Sequence, residues 1–271
     1  MTPTPGTVEA QVEQAGWRLV EATLAKGMAR SGKSPFADTW DFLSRAVWTR
    51  DEAGGRIRKF PGLDVLHNGE PRFAYLKHLT DHRLDNIVNA IEKSRRMLIT
   101  WWAVAVYLDD IMRNPTHTNA VASDKLEKSA YLLGGHRMQF IYDHIPPVSD
   151  AVYNSLRYSA PNQKWLEQFK EPIWPNKTPV IFEAKQGLGW KTVRCEETGS
   201  NIMAVASGEA QMQEFTFSNV LMDEFPRWQW QEESWRNIQP TIQGGGHVDI
   251  ICTAELGAFA HDLLYDAEGK T

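Results

Sequence analysis

The sequence predicts an α/β fold in which a mostly parallel central sheet is flanked by helices. The first observation is that short apolar segments of strand length alternate with helical patterns through the second half of the chain. The second is a set of three strand-like segments between residues 180 and 207, separated by turns that contain glycine, which predicts a small antiparallel annex. The third is a hydrophobic content of 42% and a charged content of 23%, which is ordinary for a globular domain.

The N-terminal third of the chain predicts short helices and loops. A tail rich in proline and threonine is followed by an amphipathic helix predicted over 8–25 and then by a loop of Gly, Ser and Lys. Residues 36–85 are rich in Trp, Phe and charged residues. We therefore divide the chain into an N-terminal segment, 1–35, and one domain, 36–271, which consists of a subregion over 36–85 and a core over 86–271.

In the core, strands are predicted over 86–91 (with a helical turn as the alternative), 117–123, 180–184, 191–195, 201–207, 218–222 and 247–254. Helices are predicted over 101–112, 124–143, 228–239 and 259–266. Ser123 or Asp124 is expected to cap the second of these helices. Pro240 and the three glycines at 244–246 are expected to mark the end of the third. Residues 148–179 are interrupted by prolines and are predicted to be loop-rich.

Charge and cysteine content exclude several classes of protein. The net charge of −5 argues against a protein that coats nucleic acid through a general positive field, although contact through one local basic patch stays open. No apolar run approaches 18 residues and no basic, apolar leader opens the chain, so neither a membrane span nor a secretory signal is expected. Cys195 and Cys252 have no metal-ligand spacing, which favours reduced thiols in a cytoplasmic protein.

Two segments are candidates for a phosphate-binding loop. Gly27–Ser34 fits the pattern GxxxxGK[ST], which supplies backbone N–H groups, a lysine for phosphates and a hydroxyl for Mg²⁺. That pattern requires a buried strand before it and a helix after it. The residues before it have helical spacing, and Pro35 follows directly, so the context is poor.

The second candidate, Lys93–Thr100, lacks the glycines but has a strand candidate before it and an apolar helix after it. Lys93, Arg95 and Arg96 place three cations beside a helix N-terminus, which suits an anion. Thr100 occupies the position expected of a hydroxyl that binds Mg²⁺. The structural alternative is a basic loop that caps a core helix.

An acidic pair, Asp223-Glu224, directly follows the apolar segment 218–222. Such a pair at a strand end can hold Mg²⁺ with the first carboxylate and orient or deprotonate an attacking water with the second. The structural alternative is an ordinary solvated turn.

In their order and spacing, Lys93–Thr100, Asp223-Glu224 and the segment Ile251–Ala254 (ICTA) resemble the ATPase domain of the large terminases of tailed bacteriophages. These enzymes pump double-stranded DNA into an empty viral shell. The resemblance implies a P-loop NTPase of the ASCE type, with ATP and Mg²⁺ as cofactors. It implies the following roles: Lys93, Ser94, Arg95, Arg96 and Thr100 bind ATP, Thr100 and Asp223 hold Mg²⁺, Glu224 activates water, and Thr253 couples hydrolysis to movement.

Two features depart from the family pattern. Leu98 and Ile99 stand where many relatives carry Gly and Lys, so Lys93 alone or with a neighbouring arginine has to serve the phosphates. Many relatives also carry an arginine about a dozen residues before the acidic pair, and this chain has none there. Arg137, Arg194 and Arg227 remain alternatives for that arginine.

The resemblance also implies partners and a location. We expect double-stranded DNA, a portal protein, a small terminase subunit and further copies of the chain in a ring on the procapsid, with no membrane partner. The location implied is the host cytoplasm, with transient attachment at the portal vertex. Residues 36–271 would be the ATPase domain, and a nuclease domain is expected to be absent. The alternatives are a P-loop kinase or small NTPase that uses Gly27–Ser34, and a non-catalytic DNA- or capsid-binding module.

Overall fold

In the computed structural model, seven strands form one sheet in the order β3-β9-β8-β4-β7-β6-β5, and two more form a separate hairpin. The structure describes residues 34–51, 55–60, 73–94, 97–158, 160–184, 191–207 and 215–253. The strands are β1 Trp48–Arg50, β2 Ile57–Lys59, β3 Val88–Lys93, β4 Thr118–Ser123, β5 Val180–Ala184, β6 Lys191–Cys195, β7 Ser200–Ala206, β8 Asn219–Asp223 and β9 His247–Thr253. The helices are α1 Thr39–Ala46, α2 Ala74–Asp85, α3 Ile99–Arg113, α4 Leu126–Leu133, α5 Met138–Asp143, α6 Asp150–Arg157 and α7 Gln231–Gln243, with 3₁₀ segments at Ala160–Phe169 and Phe225–Arg227.

The sheet is parallel from β3 through β9, β8 and β4 to β7, and β6 and β5 extend it in antiparallel fashion. The predicted α/β class and the antiparallel annex are therefore confirmed. The edge strand β3 is joined to β8 only through β9, which lies between them. This order is that of the ASCE-type P-loop NTPase, the fold class that the motifs predict.

The central strands are apolar on both faces, as expected of a parallel sheet covered on two sides. In β8, Leu221 packs into the core beneath α3, whereas Val220 and Met222 pack into a second core beneath α7. Helix α3 is buried on nearly every side, with Trp102, Val104 and Leu108 at 0% exposure. It therefore forms the centre of the larger core and fixes the loop that joins it to β3.

The predicted helix over 124–143 is in fact two helices. The break falls at Gly134 and Gly135, because glycine loses more conformational freedom in a helix than other residues. The predicted cap at Ser123 or Asp124 was wrong, since Lys125 is the N-cap and makes no side-chain cap bond. The Asp124 carboxylate instead accepts hydrogen bonds from Lys128 at 2.7 Å and from Ser123 at 3.2 Å.

Two further predictions of element bounds were wrong. Helix α7 begins at Gln231 and runs through Pro240 to Gln243, so the predicted end at the glycines is confirmed whereas Pro240 does not end the helix. The carbonyl of Pro240 accepts the N–H of Gly244 at 2.9 Å, so the helix ends where three glycines begin. The predicted loop region 148–179 contains α6, whose N-cap Ser149 accepts the N–H of Val152, and a 3₁₀ segment.

Several sequence predictions lie outside the described residues: the helices over 8–25 and 259–266, and Gly27–Ser34 except for its last residue. None of the helices in the described part of the chain combines the length and apolar character needed to cross a membrane. The proposed domain bounds stay a prediction.

Candidate nucleotide-binding site

Three parallel strands end at one edge of the sheet and bring the predicted site residues together. β3 ends at Lys93, β8 at Asp223 and β9 at Thr253. Lys93 lies directly opposite Thr253 across the β3–β9 pair, and Asp223 lies opposite Ile251 across the β8–β9 pair. The carboxyl ends of parallel strands are where open α/β sheets bind their ligands.

The side chain of Glu224 is the meeting point of this group. Its Oε1 atom accepts hydrogen bonds from Lys93 Nζ at 3.2 Å and from Thr253 Oγ1 at 3.0 Å. Its Oε2 atom lies 3.9 Å from Arg227 Nε. The Lys93 and Glu224 side chains are 11% and 23% exposed, so this ion pair is largely shielded from solvent. The sequence did not predict that Lys93 and Glu224 would be paired with each other.

The two adjacent carboxyl groups have opposite pKa shifts. Burial raises the pKa of Glu224, but the charge and hydrogen bond of Lys93 and the Thr253 hydroxyl outweigh it, so the net pKa is lowered. Burial, followed by the negative charge of Glu224, raises the pKa of Asp223 to about 6. Glu224 is therefore held as a carboxylate, whereas Asp223 gains a proton readily when no cation is beside it.

Asp223 fits the role of a metal ligand. Its Oδ1 atom is buried and has no hydrogen-bond partner within the described part of the chain. Desolvating a carboxylate oxygen without a partner is costly, and a bound divalent cation would remove that cost. Mg²⁺ is commonly bound by one or two protein oxygens together with substrate phosphates and water. Thr100 lies in the first turn of α3, the helix that follows the carboxyl end of β3. No group of three His, Cys, Asp or Glu side chains suited to a metal occurs among the described residues.

The loop between β3 and α3 keeps a conformation that glycine usually provides. Leu98, the N-cap of α3, has φ 60° and ψ 8°, in the left-handed region that side chains other than glycine rarely adopt. Glu224 is also left-handed, at φ 52°. Each such residue costs on the order of 1 kcal/mol or more, and strained backbone of this kind is concentrated at functional sites. Leu98 therefore has a backbone conformation that a glycine would adopt without strain.

The structure describes only some of the other residues of the predicted phosphate loop. Ser94 directly follows β3, whereas Arg95 and Arg96 lie outside the described residues. Ile99, at the position where the family pattern places lysine, is 2% exposed and belongs to the core beneath α3.

The three arginines left open by the sequence lie in different places. Arg227 faces Glu224, while Arg194 lies on β6 in the antiparallel annex, 3.4 Å from Glu183. Arg137 precedes α5, and its Cζ atom lies 4.5 Å from the ring centroid of Trp101 in α3.

A cavity of about 620 Å³ lies at the opposite, amino edge of the sheet. The charged residues that line it have partners: Arg83 Nε donates to the buried Asp249 at 2.8 Å, Arg113 NH2 lies 3.0 Å from Asp109, and His117 Nδ1 lies 3.0 Å from Asp110. Tyr107 also donates to Asp249, at 3.0 Å. Because these groups satisfy one another, we assign the chemistry to the carboxyl edge and not to this cavity.

Comparison with known proteins finds matches among solved structures. No protein-family model matches the chain, and no curated protein matches its sequence. The large terminase ATPase domain of Thermus phage P74-26 is similar at 12% identity and a TM-score of 0.40 over 65% of this chain. The HK97 bacteriophage large terminase is similar at 10% identity and a TM-score of 0.44 over 80% of this chain. The large terminase of a further thermophilic bacteriophage, solved in complex with ADP, is similar at 11% identity and a TM-score of 0.34 over 62% of this chain. The chain spans 62%, 37% and 34% of these three proteins, respectively.

Proposed function

We propose that this chain is an ATPase of the phage large terminase type, whose hydrolysis of ATP drives double-stranded DNA into a procapsid. The observation that carries the ATPase proposal is the convergence of Lys93, Asp223, Glu224 and Thr253 at the carboxyl edge of an ASCE-type sheet. The terminase part of the proposal is supported by the order and spacing of the three motifs in the sequence.

Lys93 has a dual role in this proposal. In the structure its ammonium group is hydrogen-bonded to Glu224 at 3.2 Å. The β- and γ-phosphates of a bound nucleotide would be stronger hydrogen-bond acceptors than Glu224. Lys93 would then donate its hydrogen bonds to these phosphates instead of to Glu224. Glu224 would then keep the hydrogen bond from Thr253 and be free to orient and deprotonate the attacking water.

Asp223 and Thr100 would hold Mg²⁺, which neutralises developing charge on the transferred phosphoryl group. The buried Oδ1 atom of Asp223 is the clearest acceptor for it. Ser94 and the two arginines after it would complete the phosphate loop. Thr253 ends β9 and touches Glu224, so it is well placed to sense hydrolysis and transmit it along the strand.

Movement of DNA requires more than one subunit. We therefore include in the proposal a ring of identical chains docked on a portal protein and loaded by a small terminase subunit, in the host cytoplasm. The net charge of −5 fits contact with DNA through a local surface and not through the whole domain.

The first test is ATP hydrolysis by the wild-type chain at high protein concentration, with and without double-stranded DNA. Glu224→Gln and Lys93→Ala should each abolish turnover. The first removes the general base, and the second removes the cation that binds the phosphates. Lys33→Ala is the matched control, since it removes the lysine of the alternative segment Gly27–Ser34.

The outcomes separate the competing functions. Loss of activity in Lys33→Ala alone would contradict the site proposed here and support a P-loop kinase or small NTPase at the N-terminus. Absence of both hydrolysis and nucleotide binding in the wild type would support a non-catalytic DNA- or capsid-binding module. Hydrolysis that DNA does not alter would support an ATPase but count against a DNA motor.

A further inference from the structure

A side chain from outside the three motifs holds the loop between β3 and α3 at the end nearest α3. The hydroxyl of Tyr75, on α2, donates a hydrogen bond to the carbonyl of Met97 at 2.5 Å. Met97 directly precedes Leu98, the N-cap of α3, whose backbone is left-handed at φ 60°. The hydrogen bond therefore acts at a strained point of the loop that the proposed site uses for phosphate.

We propose that Tyr75 is a positioning residue for nucleotide binding, because it holds the β3–α3 loop in the conformation that receives the phosphates. The inference rests on the proposed ATPase function. Tyr75 acts through the backbone of Met97 and Leu98 and does not itself contact the nucleotide.

The hydrogen bond to Met97 opposes relaxation of Leu98. A leucine is disfavoured at positive φ, so an untethered loop would tend to rotate Leu98 toward negative φ. The carbonyl of Met97 and the N–H of Leu98 belong to one planar peptide unit. Because the Tyr75 hydroxyl fixes the direction of that carbonyl, the plane cannot turn about the N–Cα bond of Leu98 without breaking the hydrogen bond.

Helix α2 provides a fixed base for Tyr75. The indole Nε1 of Trp102, in α3, donates to Thr80 Oγ1 at 2.9 Å, and the Thr80 hydroxyl donates to the carbonyl of Leu76 at 2.8 Å. The ring of Tyr75 also packs edge-on against Phe73, with centroids 5.9 Å apart. Burial raises the pKa of Tyr75, so its hydroxyl keeps the proton that it donates.

The conformation of Leu98 determines what the start of α3 presents to a nucleotide. The N-cap residue is a leucine, whose side chain cannot accept hydrogen bonds from the first N–H groups of the helix. These N–H groups have no partners within the helix and suit an anion such as phosphate. Thr100, the proposed Mg²⁺ ligand, is two residues after Leu98, so a rotation at Leu98 would displace it as well.

The test is an equilibrium titration of ADP, with Mg²⁺, into the wild type and Tyr75→Phe, which removes one hydroxyl and keeps the ring. Fewer molecules should then have the competent loop, so ADP should bind about three- to tenfold more weakly. Tyr142→Phe is the matched control, because the Tyr142 hydroxyl also donates to a backbone carbonyl, that of Thr178, at 3.1 Å. It should change ADP affinity less than about twofold.

Steady-state hydrolysis of ATP separates positioning from a general loss of structure. In Tyr75→Phe the KM should rise about three- to tenfold while kcat stays within about twofold of the wild type, because saturating nucleotide restores the competent loop. A fall in kcat with an unchanged KM would contradict the positioning role.

A double-mutant cycle with Leu98→Gly tests whether Tyr75 acts through Leu98. Glycine adopts positive φ without strain, so the loop depends less on the hydrogen bond. In the Leu98→Gly background, Tyr75→Phe should therefore change ADP affinity less than about twofold. An undiminished effect in that background would contradict the assignment.

The remaining outcomes separate this inference from the proposed function. Unchanged ADP affinity in Tyr75→Phe, or equal weakening in Tyr142→Phe, would overturn the role of Tyr75 and leave the ATPase proposal in place. A wild type that binds no ADP would overturn the proposed function, and the role of Tyr75 with it.

Discussion

Neutralising Glu224 should strengthen ADP binding, although the same substitution should stop hydrolysis. In the structure Lys93 is bound to Glu224 at 3.2 Å, so a nucleotide can recruit Lys93 only by breaking that ion pair. In Glu224→Gln the amide keeps the shape of the side chain but not its charge. Lys93 is then available to the phosphates without that cost.

The size of the effect follows from the environment of the pair. A hydrogen bond to a charged group contributes about 1.5 to 3 kcal/mol when it is well shielded. The two side chains are 11% and 23% exposed, so some solvent screening applies and about 1 to 2 kcal/mol is a fair value. ADP should therefore bind the variant about fivefold to thirtyfold more tightly than the wild type.

Calorimetric titration of ADP measures this directly, because ADP leaves no hydrolysis to complicate the equilibrium. The control is Asp223→Asn at pH 8 in EDTA, which also removes a negative charge from the site but leaves the Lys93–Glu224 pair intact. It should tighten ADP binding far less. Unchanged or weaker binding in Glu224→Gln, or an equal gain in both variants, would refute the idea that Glu224 restrains Lys93.

Three other perturbations have defined outcomes. Thr253→Val removes the hydroxyl that holds Glu224 at 3.0 Å, so the turnover number should fall about three- to tenfold, while Thr253→Ser keeps it in a steady-state assay. Burial lowers the pKa of His144 from 6.5 to about 4, so the folded state favours the neutral ring. The stability that the folded protein gains from this preference is fully present above pH 6.5 and is lost as the pH falls toward 4. The free energy of unfolding in urea should fall by about 2 kcal/mol from pH 7 to pH 5, and this part of the loss should be absent in His144→Gln. Arg83→Met leaves the carboxylate of Asp249 buried without its cation, so the same urea assay should show a loss of about 3 to 5 kcal/mol, and adding Asp249→Leu should restore much of it.

The sheet and the edge that carries the site could be predicted because both depend on local patterns. The apolar runs at β4, β8 and β9 are buried on both faces, and that composition alone indicates parallel strands. The acidic pair follows one of these runs, and Thr253 ends another, so their meeting at one edge follows from topology. The sequence pattern places Lys93 in the loop, whereas it is the last residue of β3, directly opposite Thr253.

What the sequence could not predict depends on contacts between distant residues. The Lys93–Glu224 pair joins positions 131 residues apart, and no periodicity records it. The helix break at Gly134 and Gly135 is a different case, because two adjacent glycines are a turn signal in the sequence that the prediction of one helix did not use. The turn that this break creates places Arg137 against the ring of Trp101.

The two edges of the sheet differ in how well their polar groups are satisfied, and this difference separates stability from function. At the amino edge, Asp249 is fully buried, yet Arg83, Asn89 and Tyr107 all donate to it at 2.8 to 3.1 Å. At the carboxyl edge, Asp223 Oδ1 and Glu224 Oε2 are buried without hydrogen-bond partners in the described part of the chain. Natural proteins rarely keep such groups without a reason, because each costs about 1 to 3 kcal/mol. The proposed function accounts for this cost on two adjacent carboxyl groups, one in a left-handed backbone conformation, because a cation and a phosphate that arrive with the substrate would be their partners.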